Sequence, residues 1–351
     1  MTLQDAIAAV RPLDQDGLAL AKRRLDRLTK PLGSLGRLEE LAARYVAITG
    51  EERPPIPRAA IVTFAADHGV TDEGVSAYPR AVTAQMVLNF LKGGAGVNVL
   101  AAHVGAEVRV VDIGVAHEFG PLPALLHRKV APGTRNWARE PAMTREEAVR
   151  ALEIGVTLAR QAVYDGIGLL GTGDMGIGNT TASAAITAVL TGEPVATVTG
   201  RGTGLDDAGL ARKVAVIEEA LRTHRPDPAD PIDVLVKVGG FEIAGIAGLI
   251  LGAAACRRPV MLDGFITGAA ALIAAGLQSL CREYLIASHL SVERGHQAVL
   301  KKLELRPLLD LDLRLGEGTG ACLGIGLVHA AIKVLTQMAT FDEAGVSERT
   351  L

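Results

Sequence analysis

The feature that most constrains the fold is an alternation along the chain. Six short runs rich in Val, Ile and Leu recur: Ile61–Ala66, Val108–Asp112, Ile167–Gly171, Val234–Val238, Val260–Asp263 and Leu285–Ser288. Continuous apolar runs of this length suit strands buried on both faces. Between them lie segments with helical spacing, such as Thr83–His103, Thr144–Tyr164, Asp206–His224, Glu242–Cys256 and Thr267–Leu280. Strand and helix alternating in this way predict an α/β fold, a parallel sheet with helices on both faces. Thr144-Arg145-Glu146-Glu147 has capping-box spacing, in which hydroxyl and carboxylate each satisfy a free amide of the first helical turn.

The chain ends read differently. Leu20–Leu28 and Leu38–Ile48 have helical spacing without a strand, and the tail after about Ala321 is again helical. The ends, 1–57 and 301–351, are expected to meet as a small helical domain beside a large α/β nucleotide-binding domain over 58–300, with Arg53–Pro57 as linker. Hydrophobic residues at 49% and charged residues at 21% exclude a disordered chain. A net charge of -3 without a basic run argues against nucleic acid or an anionic membrane as partner. The N-terminal segment has no export pattern, so a cytoplasmic location is expected. Ile243–Cys256 is too short to span a bilayer, and Ala321–Leu335 contains His329 and Lys333; both read as buried helices. Cys256, Cys281 and Cys322 form no CxxC pair and read as reduced core thiols.

In an open parallel sheet, ligands bind beyond the carboxyl ends of the strands. The loops there are rich in glycine, which numbers 40 in 351 residues. In Gly171–Thr181 a strand runs into glycines and then into a helix opening with Asn179-Thr180-Thr181. Gly176, Ile177, Gly178, Asn179, Thr180 and Thr181 can hold a phosphate through close backbone amides, the helix dipole and hydroxyls. A tight strand-helix turn with glycines only for geometry is the weaker, other reading. Gly171, Gly173 and Gly176 also match the dinucleotide fingerprint, which keeps an NAD(P)-dependent oxidoreductase as the alternative, although Glu193 precedes an apolar run instead of ending a strand. A second turn, with Gly202 and Thr203, precedes the helix carrying Lys213, either a phosphate-binding cation or a solvated side chain. In the third, Leu315–Gly320, Glu317 stands alone among glycines. A carboxylate in dry surroundings has a raised pKa, suiting a general base; an exposed helix cap is the other reading. Asp67, His68, Asp263, His289 and His296 lie near strand ends at spacings matching no metal motif, so no metal and no cofactor is expected. His68 and His289 are expected in or beneath the pocket.

Several blocks in order resemble the nicotinate-nucleotide:dimethylbenzimidazole phosphoribosyltransferase family of cobalamin synthesis. They are Pro31–Gly36, Ala66–Val70, Glu73–Pro79, Gly93–Asn98, Met175–Thr181, Val238–Glu242 and Gly316–Gly320. The resemblance implies a Rossmann-like six-stranded parallel sheet with a smaller helical domain, and a homodimer with sites near its interface. It implies transfer of the 5-phosphoribosyl group of nicotinate mononucleotide to 5,6-dimethylbenzimidazole, giving alpha-ribazole 5'-phosphate and nicotinate. It also implies roles: Glu317 as general base, Asp174 in support, and Gly176–Thr181 with Gly202, Thr203 and Lys213 as the phosphate site. Ser76, Tyr78, Gln85 and Leu315 fall where the benzimidazole pocket is expected. Asp174 stands where the family is expected to carry Glu, one methylene longer.

Overall fold

The computed structural model describes residues 1–347 of the chain. Three helices come first: α1 (Leu3–Ala9), α2 (Gln15–Asp26) and α3 (Arg37–Thr49). Next are β1 (Arg58–Ala66), α4 (Val82–Leu91), α5 (Gly96–Val104), β2 (Glu107–Gly114) and β3 (Leu125–His127). The second half begins with α6 (Arg145–Tyr164), β4 (Ile167–Met175), α7 (Asn179–Thr191), α8 (Val195–Val198), α9 (Asp207–His224), α10 (Pro231–Val238) and α11 (Phe241–Ala255). It ends with β5 (Val260–Leu262), α12 (Phe265–Leu277), β6 (Leu285–Ala287), α13 (Gly295–Leu303), α14 (Thr319–Gln337) and α15 (Phe341–Ala344).

The strands form one sheet in the order β3-β2-β1-β4-β5-β6, with every neighbouring pair parallel. Strand order reverses between β1 and β4, the kind of switch point near which ligands bind at the carboxyl edge of such sheets. Period-two alternation splits β1 between two cores: Val62 and Phe64 face one, Ile61 and Ala65 the other. The first core is closed by α6, α7 and α10–α13, the second by α2–α5 and α14. α1 packs on α6 and α11, whereas α2 and α3 pack with α14. By length and composition α14 could cross a membrane. Here Ile325, Val328 and Ile332 bury it in the second core.

Two expectations about elements need correction. Val234–Val238 belongs to α10, because Asp230 caps the helix by accepting from Ile232 N and Asp233 N, with Pro231 in its first turn. Its place in the sheet is taken by β3, three residues paired with Val110–Asp112. Thr83–His103 is two helices, interrupted at Gly93, whose φ is +78°. The Thr144 capping box, by contrast, is present, with Thr144 Oγ1 accepting from Glu147 N at 3.1 Å and Glu147 accepting from Thr144 N at 2.7 Å.

Candidate active site

A cavity of about 360 Å³ lies at the carboxyl ends of β4, β5 and β6. Asp174, Met175 and Gly176 come from the end of β4, and Asn179 and Thr180 from the start of α7. Gly264, Phe265 and Ile266 follow β5; His289, Ser291 and Glu293 follow β6. Arg314–Glu317 close one side, Gly202 another, and Tyr78 before α4 and Met86 on α4 reach in.

The glycines around β4 have distinct jobs. The strand runs to Met175, so Gly171 and Gly173 lie inside it. A Cβ at Gly171 would overlap Ile61, and one at Gly173 would overlap the Glu317 carbonyl. These are close-approach glycines of a strand, and the fingerprint is not a pyrophosphate turn; the oxidoreductase alternative loses its motif. Gly176 and Gly178 do form the turn, Gly178 at φ +96°. Thr180 Oγ1 there accepts from Lys213 Nζ at 2.7 Å. Lys213 is only 1% exposed, and burial lowers its pKa to about 8 against the opposing pull of Glu293. Gly202 lies beside Thr180 and Lys213, where an added Cβ would come 2.8 Å from Thr180 Oγ1. A buried cation, a hydroxyl and a helix N-terminus thus converge on one corner, a combination suited to a phosphate.

Some expected phosphate contacts lie elsewhere. Thr181 is wholly buried and its hydroxyl lacks a partner among the described residues. Ile177 donates its amide to Thr83 Oγ1 at 3.1 Å, and neither it nor Gly178 lines the cavity. Thr203 is exposed and outside the lining.

Glu317 is held from three sides. Its backbone takes a φ of +65°, and its carbonyl accepts from Thr63 Oγ1 at 2.9 Å. Its Oε2 accepts from Val97 N at 3.1 Å, at the start of α5. Asp263, wholly buried, accepts from Gly318 N, Gly320 N and Ala321 N at 3.1, 2.7 and 3.1 Å and so clamps the turn onto α14. At 6% exposure Glu317 is no exposed loop cap. Burial raises its pKa, and the amides of Val97 and Gly96 oppose the rise. Burial pushes Asp263 up to about 7 despite its three amides.

Asp174 Oδ2 accepts from Asn179 Nδ2 at 2.9 Å, while Oδ1 has no partner among the described residues. Burial, then the neighbouring Asp263 and Glu242 carboxylates, push its pKa well above the carboxylate range.

At the apolar end, Tyr78 and Leu315 line the cavity. Gln85 instead lines a separate cavity of about 400 Å³ with Asp67, Arg80 and His117. Ser76 Oγ accepts from Tyr78 N at 3.3 Å and stays outside the lining. Met86, the residue after Gln85, takes the inward position; the helical phase of α4 carries that distinction. Phe265 and Ile266 follow a strand end, so position beyond the sheet's carboxyl edge is the signal that marks them as lining residues. The remaining strand-end groups have separate partners: His68 pairs with Glu242, and His289 Nδ1 lies 2.9 Å from Ser288 Oγ.

The model of a family described as phosphoribosyltransferase matches residues 10–346. A nicotinate-nucleotide:dimethylbenzimidazole phosphoribosyltransferase of Geobacter sulfurreducens is 62% identical over 346 residues, 99% of this chain and 98% of that one. One of the same name from Chloroflexus aggregans is 60% identical over 347 residues, 99% and 98% of the two chains. The crystal structure of CobT from Thermus thermophilus superposes with a TM-score of 0.91 at 51% identity, covering 95% of this chain and all of that one. The β-sheet order, the loops at its carboxyl edge and these end-to-end matches agree: the chain belongs to the nicotinate-nucleotide:dimethylbenzimidazole phosphoribosyltransferase family.

Proposed function

We propose that this chain transfers the 5-phosphoribosyl group of nicotinate mononucleotide to 5,6-dimethylbenzimidazole, giving alpha-ribazole 5'-phosphate and nicotinate, with Glu317 as general base. The observation that carries the reading is a buried carboxylate with a raised pKa on the wall of the same cavity as Thr180 and Gly202, with Lys213 outside the lining and donating to Thr180 Oγ1. That corner holds the donor phosphate, and its binding energy keeps C1 of the ribose in line with the acceptor. Tyr78, Met86 and Leu315 contact the acceptor ring.

The benzimidazole nitrogen attacks C1 as its other nitrogen loses a proton to Glu317. The bond from C1 to the pyridinium nitrogen breaks, and its electron pair returns to the ring, which leaves as nicotinate. Attack from the opposite face inverts C1 and gives the alpha linkage. Asp174, protonated, supports the site by donating a hydrogen bond to the nucleotide.

Glu317→Gln keeps the shape and removes the base, so kcat should fall about 100 to 10,000-fold with the KM for nicotinate mononucleotide little changed. Near-normal turnover would remove Glu317 from the role. We further propose a homodimer, supported by Tyr78, Val99 and Leu315, each more than half exposed around the cavity mouth and α5. The free thiols of Cys256, Cys281 and Cys322 suit a cytoplasmic location.

A further inference from the structure

Two blocks of sequence, Asp67–Val70 and Gly239–Glu242, meet behind the cavity without lining it. His68 Nε2 lies 2.5 Å from Glu242 Oε1, and both side chains are wholly buried. His68 Nδ1 and Glu242 Oε2 have no partner among the described residues. Such a pair is a poor way to stabilise a core, because desolvation offsets most of its attraction and apolar side chains would serve as well. Its surroundings give it another use.

The pair lies beside the turn that carries the phosphate corner. A Cβ on Gly176 would lie 3.2 Å from Glu242 Oε1 and 3.3 Å from His68 Nε2, and one on Gly178 would lie 3.4 Å from His68 Cβ. Gly240 leaves room for the same two side chains from the other direction, where a Cβ would come 2.8 Å from Glu242 Oε2. The His68 carbonyl accepts from Thr71 N at 3.2 Å and Thr71 Oγ1 at 2.7 Å, which ties the His68 backbone to the segment leading toward Tyr78. Glu242 sits in the first turn of α11 and is anchored by that helix.

We propose that His68 and Glu242 are a positioning pair that sets the height of the Gly176–Gly178 turn against the donor nucleotide. The inference rests on the phosphoribosyl transfer proposed above. The pair touches no reacting atom; it acts through the turn, and the Glu242 carboxylate also helps raise the pKa of Asp174.

Steady-state kinetics with each substrate varied in turn, on His68→Asn, Glu242→Gln and the double variant, test this. Each single variant should raise the KM for nicotinate mononucleotide about tenfold and leave the KM for dimethylbenzimidazole near wild type, with a lowered melting temperature because the remaining partner is left buried and unpaired. The double variant should be no worse than the worse single one, since the two act as a unit. An unchanged KM for the nucleotide, or both KM values rising in step, overturns the proposal. Should Glu242→Gln fail to fold, Glu242→Asp carries the same test, because it keeps the charge and shortens the reach to His68 Nε2. An unchanged nucleotide KM in that variant overturns it equally. A wild-type enzyme that releases no nicotinate would instead defeat the proposed function, which separates the two failures.

Discussion

Lys213 sits on a helix that begins with Asp and Ala and ends with Arg and His, where a lysine is ordinarily solvated; it is nonetheless buried with Thr180 as its partner. Its charge has a measurable signature. With a pKa lowered to about 8, the ammonium is present below that pH and lost above it. The kcat/KM for nicotinate mononucleotide should therefore fall as pH rises through about 8. Lys213→Met should lower kcat/KM about 10 to 100-fold and flatten that limb, as expected for a lost charged contact. A wild-type limb that survives the substitution would free Lys213 from the phosphate site. Glu317 and the Gly176 turn were legible in the sequence because each is local: a carboxylate among glycines, a strand passing into a helix. The clamp from Asp263 was not, since the amides it holds are 55 and more residues away. Nor was the partner of Glu317, because Val97 lies 220 residues from it.

Among the elements, two glycine-to-alanine substitutions separate stability from catalysis. Gly248 on α11 packs against α6, where a Cβ would overlap the Leu152 carbonyl. Gly248→Ala should cost about 1–3 kcal/mol by overpacking and lower the melting temperature, with specific activity retained in the folded fraction. Gly173 on β4 faces the Glu317 carbonyl, so Gly173→Ala should displace the base and reduce kcat roughly 100-fold. Equal activity losses in the two variants, measured per folded molecule, would contradict that distinction. Five of the six expected strand runs fall on strands, because continuous Val and Ile runs between helices have few other uses. Val234–Val238 has the same apolar character, but the Asp230-Pro231 start decides for helix. Leu125–His127 carries only three paired residues, too short a run for periodicity to mark.

Across the whole molecule, topology makes the site. Strand order reverses between β1 and β4, and the cavity gathers the ends of β4, β5 and β6 against Tyr78 and Met86. The exposed apolar residues at its mouth lead to a further expectation: light scattering at micromolar concentration should give about twice the 36.5 kDa chain mass. A chain that stays monomeric under those conditions would contradict the proposed dimer. The central claim concerns the reaction itself. Purified protein incubated with nicotinate mononucleotide and 5,6-dimethylbenzimidazole should release nicotinate and an equal amount of alpha-linked ribotide, resolved by chromatography and assigned by the anomeric proton coupling. A beta-linked product, or no product at all, would contradict the account.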